Sequence, residues 1–191
     1  LKVIPIICGA EEILHCLLET DRLKEKRVWR ENTEIIGQLP VEKVWGTTLA
    51  LTTLFEVVDN PVVFCDDGTY TIKTIQLYQK AHPRHLLFSG NMAAGGQALP
   101  GAIGAKLADK SKKVFAIIGD GGILSVIGEL QVYSDTNLEI VVLLFNNGGY
   151  KSINLWSEKQ AIPLNLDFSE IDFTTIARGF GLRACTVESA D

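Results

Sequence analysis

The chain has 191 residues, 47% of them hydrophobic and 21% charged, which suffices for one ordinary domain core, is short for two, and excludes a mainly disordered state. A net charge of −5 with no block of like charge argues against a nucleic-acid surface and against a polybasic membrane anchor. Cys8, Cys16, Cys65 and Cys185 form no C-x-x-C pair and only three histidines accompany them. A zinc site is therefore disfavoured, and buried free thiols in a reducing, cytoplasmic compartment are expected. No apolar run reaches the roughly 18 to 20 residues that span a bilayer, so a soluble protein is expected.

Residues 3–8 predict a short strand, and Ile13, Leu14, Leu17 and Leu18 recur at helical spacing within 10–19. Residues 21–40 are polar and charged and read as a connector ending at Pro40. The expected organisation is a domain tail plus linker over 1–40 and a domain proper over 41–191. The chain opens on Leu1 without methionine and stops at Asp191 just after a predicted strand. A piece of a longer polypeptide, cut short at its C-terminus, is therefore expected.

After Pro40 a helix is predicted over 41–58, with Val44, Leu51, Leu54 and Phe55 inward, stopped by Asp59-Asn60-Pro61. Strands at 62–65, 85–88, 113–118, 139–145 and 183–187 then alternate with helices at 71–80, 97–108, 123–133, after Gly149, and at 172–180. The strands at 114–118 and 140–145 are continuously apolar, as parallel strands buried on both faces are. The predicted fold class is α/β, an open, mostly parallel sheet with helices on both faces.

In such sheets ligands bind where strand ends lead into helix N-termini. Two strand ends stand out, Gly119-Asp120-Gly121-Gly122 and Asn146-Asn147-Gly148-Gly149-Tyr150. The glycines let a backbone approach a ligand closely, and the following helix turns free N–H groups toward an anion such as phosphate. Asp120 would repel that anion unless a divalent cation bridges them. Magnesium takes hard oxygens, which Asp120, Asn147 and the backbone beyond Asn147 supply. Read alone, the first segment serves equally as a turn with Asp120 as a helix N-cap, and the second is more often a plain turn. Leu124 breaks the G-x-G-x-x-G pattern, and neither a phosphate-loop lysine motif nor a G-x-S-x-G elbow is present.

Gly119-Asp120-Gly121, with Asn147 following 27 positions after Asp120, resembles the GDG…NN motif of thiamine-diphosphate-dependent enzymes. The likeness extends through Asp66-Asp67-Gly68, Ser89-Gly90, Leu99-Pro100-Gly101, Gly128-Glu129-Leu130 and Ala177-Arg178-Gly179-Phe180-Gly181. It points to the family's C-terminal, diphosphate-binding domain and to the thiamine-diphosphate-binding fold. The resemblance implies that Asp120, the Asn147 side chain and the Gly149 carbonyl hold magnesium, that Gly121 and Gly122 meet the diphosphate, and that Gly119 and Tyr150 also bind the cofactor. Gly68, Thr69 and Tyr70 match the loop that closes over the diphosphate. Ile153 falls where acetolactate-synthase-like members place an aliphatic residue near the thiazolium, and Trp156 matches a tryptophan at their substrate entrance. At this spacing the packed face of a helix is the stronger reading of either residue.

Gly95 stands where relatives carry the bulky apolar residue that bends the cofactor, with Met92 as the nearby substitute, and Thr69-Tyr70 replaces a polar pair. The implied activity is decarboxylation or carboligation of a 2-oxo acid, a lyase or transferase reaction carried by the cofactor. The family's activating glutamate belongs to a pyrimidine-binding domain absent from these residues, so no catalytic side chain is assigned. A chain inactive alone, completed by that domain or subunit and self-associating as a dimer, is expected. The alternatives are the small subunit of a two-chain decarboxylase and a non-catalytic relative with an interaction or regulatory role. His15, His82 and His85 are given no metal or general-base role.

Overall fold

The computed structural model describes residues 46–81, 85–88, 92–162 and 164–187. The expected strand at 3–8 and helix at 10–19, with Cys8, Cys16, His15, His82 and Val44, lie outside them. Helix α1 (Thr47–Val57) leads to strand β1 (Val62–Cys65), then α2 (Thr71–Ala81), β2 (Leu86–Phe88) and α3 (Ala98–Ala108). Strand β3 (Val114–Gly119) runs directly into α4 (Asp120–Ser125), followed by α5 (Glu129–Thr136), β4 (Ile140–Phe145), α6 (Lys151–Lys159) and α7 (Phe173–Gly179).

The four strands form one parallel sheet in the order β2-β1-β3-β4. The central strand β3 is apolar throughout and buried along nearly its whole length, because both of its faces are covered. Its side chains alternate between two cores, as the two-residue strand period requires. Val114, Ala116 and Ile118 join Leu99, Ala102, Ile103 and Leu130 on one face, with Ile176 and Phe180 of the α7 region packed against them. Phe115 and Ile117 join Leu51, Leu54, Phe55 and Tyr78 from α1 and α2 on the other. Each fully buried aliphatic side chain contributes roughly 1.5 to 3 kcal/mol of transfer free energy. Among the described residues no helix is long and apolar enough to cross a membrane.

Three expectations differ from the fold. The single helix at 123–133 is two helices, and the first begins at Asp120, so Gly121 and Gly122 lie inside its first turn and Gly119 is its N-cap. The break has a local cause: the Ser125 hydroxyl donates to the Gly122 carbonyl at 2.7 Å, and the Val126 amide turns to Ile123 instead. Residues 182–187 form no strand; the Arg178 guanidinium donates to the Ala184 carbonyl, which thus bonds a side chain rather than a neighbouring strand. Cys185, expected to be buried, is exposed because it lies on that irregular segment, whereas Cys65 at the end of β1 is buried.

Candidate functional site

Because the strands are parallel, all their carboxyl ends face one edge of the sheet. From β1 the chain moves outward to β2 on one side, then crosses to β3 and β4 on the other. The gap between the ends of β1 and β3 is therefore a topological switch point, where open α/β sheets bind ligands. The loops after β1, after β3, after β4 and before α3 converge there.

Asp120 follows β3 and is only 3% exposed. Its Oδ1 accepts the Gly121 amide at 2.9 Å, and its Oδ2 accepts the amides of Gly148 and Gly149 at 2.7 and 2.8 Å. One carboxylate thus fastens the loop after β4 to the start of α4. A strap from residues 166–168 crosses the same loop: the Tyr150 amide donates to the Leu166 carbonyl at 3.1 Å and the Phe168 amide to the Gly148 carbonyl at 2.9 Å. Gly149, at φ 140° and against the Leu166 carbonyl, has no room for a side chain. Lys151 pairs with Asp167 and Asn154 donates to it, holding α6 to the strap.

Asp66, at the end of β1, is 1% exposed and accepts the amides of Gly96 and Ala98. Burial raises its carboxyl above the ordinary range, opposed by those amide hydrogen bonds. The Thr71 hydroxyl donates to the Asp66 carbonyl at 2.8 Å and accepts the Gly68 amide at 2.7 Å, which closes the turn of residues 66–71. Tyr70 is buried; its ring lies against Gly68 and Gly119 and stacks on Phe145 with centroids 5.2 Å apart. Burial pushes its hydroxyl far above the usual phenol range and lifts the Cys65 thiol to about 12.

The sequence-predicted residues therefore fall into groups. Gly119, Asp120, Gly121, Gly122, Asn147, Gly149 and Tyr150 meet at adjoining strand ends; Asn147 is exposed, and the Tyr150 ring covers Gly121 and meets Phe168 edge-on. Gly68 and Thr69 occupy the neighbouring loop, where Thr69 is exposed and Tyr70 forms the floor. Gly95 lies over Gly122, with 3.6 Å from an added Cβ to the Gly122 Cα, while Met92 is 84% exposed. Ile153 and Trp156, on α6, are also exposed. Sequence reasoning missed the strap at 166–168 and the clamp made by Asp66, although a carboxylate closing a buried strand was a signal for the latter.

The donor set suits a cation bridging to an anion. Among the described residues no cluster of three or more His, Cys, Asp or Glu side chains is poised for a metal. A cation here would instead take one carboxylate, amide and carbonyl oxygens, and oxygens of the ligand, the arrangement hard divalent ions favour with phosphates. Asp120 spends three acceptor positions on amides, and an ionised carboxylate offers about four, so one remains on Oδ1. The Gly149 carbonyl, which accepts only the Lys151 amide at 2.9 Å among the hydrogen bonds described, keeps its second lone pair. The residues fit a magnesium–diphosphate group.

A doubly covered parallel sheet with a glycine-rich turn at its switch point defines a cofactor-binding α/β domain. Residues 66–191 match the family model described as "Thiamine pyrophosphate enzyme, C-terminal TPP binding domain", and the chain belongs to that family. It is similar to the acetolactate synthase isozyme 1 large subunit of Escherichia coli (strain K12), 33% identical over 137 residues that cover 70% of this chain and 24% of the relative. The acetolactate synthase of Bacillus subtilis (strain 168) is 33% identical over 136 residues, covering 71% and 24%. A probable acetolactate synthase large subunit of Methanocaldococcus jannaschii is 27% identical over 208 residues, covering 98% and 35%. The chain thus spans about a quarter to a third of the length of these relatives. In fold it resembles the Rhodococcus jostii RHA1 thiamine diphosphate-dependent 4-hydroxybenzoylformate decarboxylase, with a TM-score of 0.70 at 22% identity, covering 81% of this chain and 30% of that one.

Proposed function

We propose that this chain holds the magnesium–diphosphate half of thiamine diphosphate in an acetolactate-synthase-like enzyme that decarboxylates or carboligates 2-oxo acids. The observation that carries the reading is Asp120, one buried carboxylate gathering the ends of β3 and β4 at the switch point. Asp120, Asn147 and the Gly149 carbonyl ligate magnesium, and Gly121 and Gly122 receive the diphosphate at the first turn of α4. Tyr70 supports this turn from below through Gly119. Thr69 and Gly68 bound it on the β1 side, and Tyr150 on the β4 side. Ile153 and Trp156, exposed on α6, face the 2-oxo acid and its entrance.

When bound, the cofactor would supply a carbon nucleophile and, in its cationic ring, the sink that holds the electron pair left by CO₂ loss. This chain's residues bind and orient it; activation of its pyrimidine ring falls to a pyrimidine-binding domain or subunit outside these residues. The reading has the 191 residues inactive alone, associating as a dimer through exposed apolar side chains such as Val57 and Leu155, in the cytoplasm. A second reading, a non-catalytic relative that keeps the fold for interaction or regulation, is favoured by Gly95 and the Thr69-Tyr70 pair.

Calorimetric titration of thiamine diphosphate into the chain, with and without magnesium, tests the proposal. Magnesium-dependent binding that is lost in Asp120→Ala and weakened in Asn147→Ala is expected. Binding indifferent to magnesium, or no binding by the parent chain, would overturn it.

A further inference from the structure

The buried carboxylate of Asp66 lies at the end of the strand next to β3, beside the ligand set described above, and no step assigned so far uses it. Both of its oxygens are engaged: Oδ2 accepts the Gly96 amide, and Oδ1 accepts the Ala98 amide at 2.7 Å. Ala98 is the first residue of α3, and the Gln97 side chain makes no cap hydrogen bond. The end of β1 therefore supplies, through space, the helix cap that the local sequence does not.

The same carboxylate governs a close approach. Gly96 is at φ 89°, and a Cβ there would stand 2.4 Å from the Ser125 hydroxyl and 3.1 Å from the Gly122 carbonyl. A Cβ on Gly122 would stand 2.5 Å from Asp66 Oδ2 and 3.3 Å from the Gly96 amide nitrogen. Three segments distant in sequence, residues 66, 95–98 and 121–122, are thus drawn to backbone contact around one buried charge. From these contacts we infer that Asp66 is a positioning residue that staples the loop of residues 92–97 onto the first turn of α4, so that Gly95 and Met92 stand at a fixed place beside the diphosphate turn. The inference rests on the cofactor reading above for its functional consequence, and on the hydrogen bonds alone for the staple.

Two measurements on the full chain separate those parts: amide hydrogen exchange at Gly96 and Ala98, and calorimetric affinity for magnesium thiamine diphosphate. Asp66→Asn keeps the shape but turns an amide donor toward a backbone N–H. Exchange at Gly96 and Ala98 is expected to quicken, and the cofactor to bind more weakly, each by about 10-fold or more, the scale of one charge-assisted hydrogen bond. Amides within β3 should be unchanged. Gly96→Ala leaves the carboxylate in place but pushes the loop off Ser125, and should reproduce both effects if Asp66→Asn does not fold. Asp172→Ala, which removes an exposed cap on α7, should alter neither.

Unchanged exchange at the two amides would overturn the staple. Faster exchange with unaltered affinity would overturn its role toward the cofactor. A parent chain that binds no cofactor would overturn that role together with the cofactor reading, while the exchange result still decides the staple.

Discussion

At Gly121 the absence of a side chain is a packing requirement: a Cβ there would lie 2.4 Å from Cε1 of the Tyr150 ring. Gly121→Ala is expected to drive Tyr150 off the turn and cost about 1 to 3 kcal/mol, as overpacking does, measurable by denaturant unfolding. Cys65 provides a titration with a definite sign. Burial lifts its thiol from 9.0 to about 12, so the contribution is intact below the ordinary value and is lost as pH climbs from 9.0 toward about 12. Cys65→Ala should flatten that alkaline decline. Alkylation of the native chain at pH 8 should label exposed Cys185 well before Cys65, as peptide mapping by mass spectrometry would register. At this scale the sequence was informative where chemistry and position coincide. Asp120 and Asn147 stand out by their resemblance to the GDG…NN motif, whereas Asp66, although it closes a buried strand, gives no sign of its partners, because it acts on amides 30 and 32 residues away.

Helix ends decide the behaviour of individual elements. The Lys106 side chain, buried in the last turn of α3, donates to the Lys110 and Lys112 carbonyls at 2.8 and 2.6 Å and so ties that helix to the turn before β3. Lys106→Met strands both carbonyls and is expected to destabilise by about 1 to 3 kcal/mol, again read from denaturant unfolding. Asp172 caps α7, accepting the Thr175 amide and the hydroxyls of Thr174 and Thr175. Those hydrogen bonds hold its carboxyl well below the usual range. Its contribution is thus full above the ordinary carboxylate value and fades as pH falls through that range toward the lowered one. Asp172→Ala should remove that part of the acid limb, followed by circular dichroism. Strands were legible because short, continuously apolar runs rich in β-branched residues, such as 114–118, suit the middle of a covered parallel sheet. The divided helix at 120–136 was not, since it turns on one hydroxyl competing for one carbonyl at Ser125. The run at 183–187 looks like a strand by composition, yet composition does not supply the ladder.

For the molecule as a whole, the parallel sheet does the gathering. Loops at 66–70, 92–97, 119–122 and 146–150 are far apart in sequence and share one edge only because every strand points the same way. That much followed from the alternating βα order, and with it the edge at which the candidate site lies. The strap of residues 166–168 did not follow, because its bonds are backbone to backbone and leave no mark on side-chain identity. The central claim is that Asp120, Asn147 and Gly149 receive a divalent ion together with a diphosphate. Manganese can stand in for magnesium and broadens the resonances of nearby amides. Adding manganese and thiamine diphosphate to isotopically labelled chain should broaden the amides of residues 120–122 and 147–150 first, and much less when either component is omitted. Broadening centred elsewhere, or identical without thiamine diphosphate, would contradict the account.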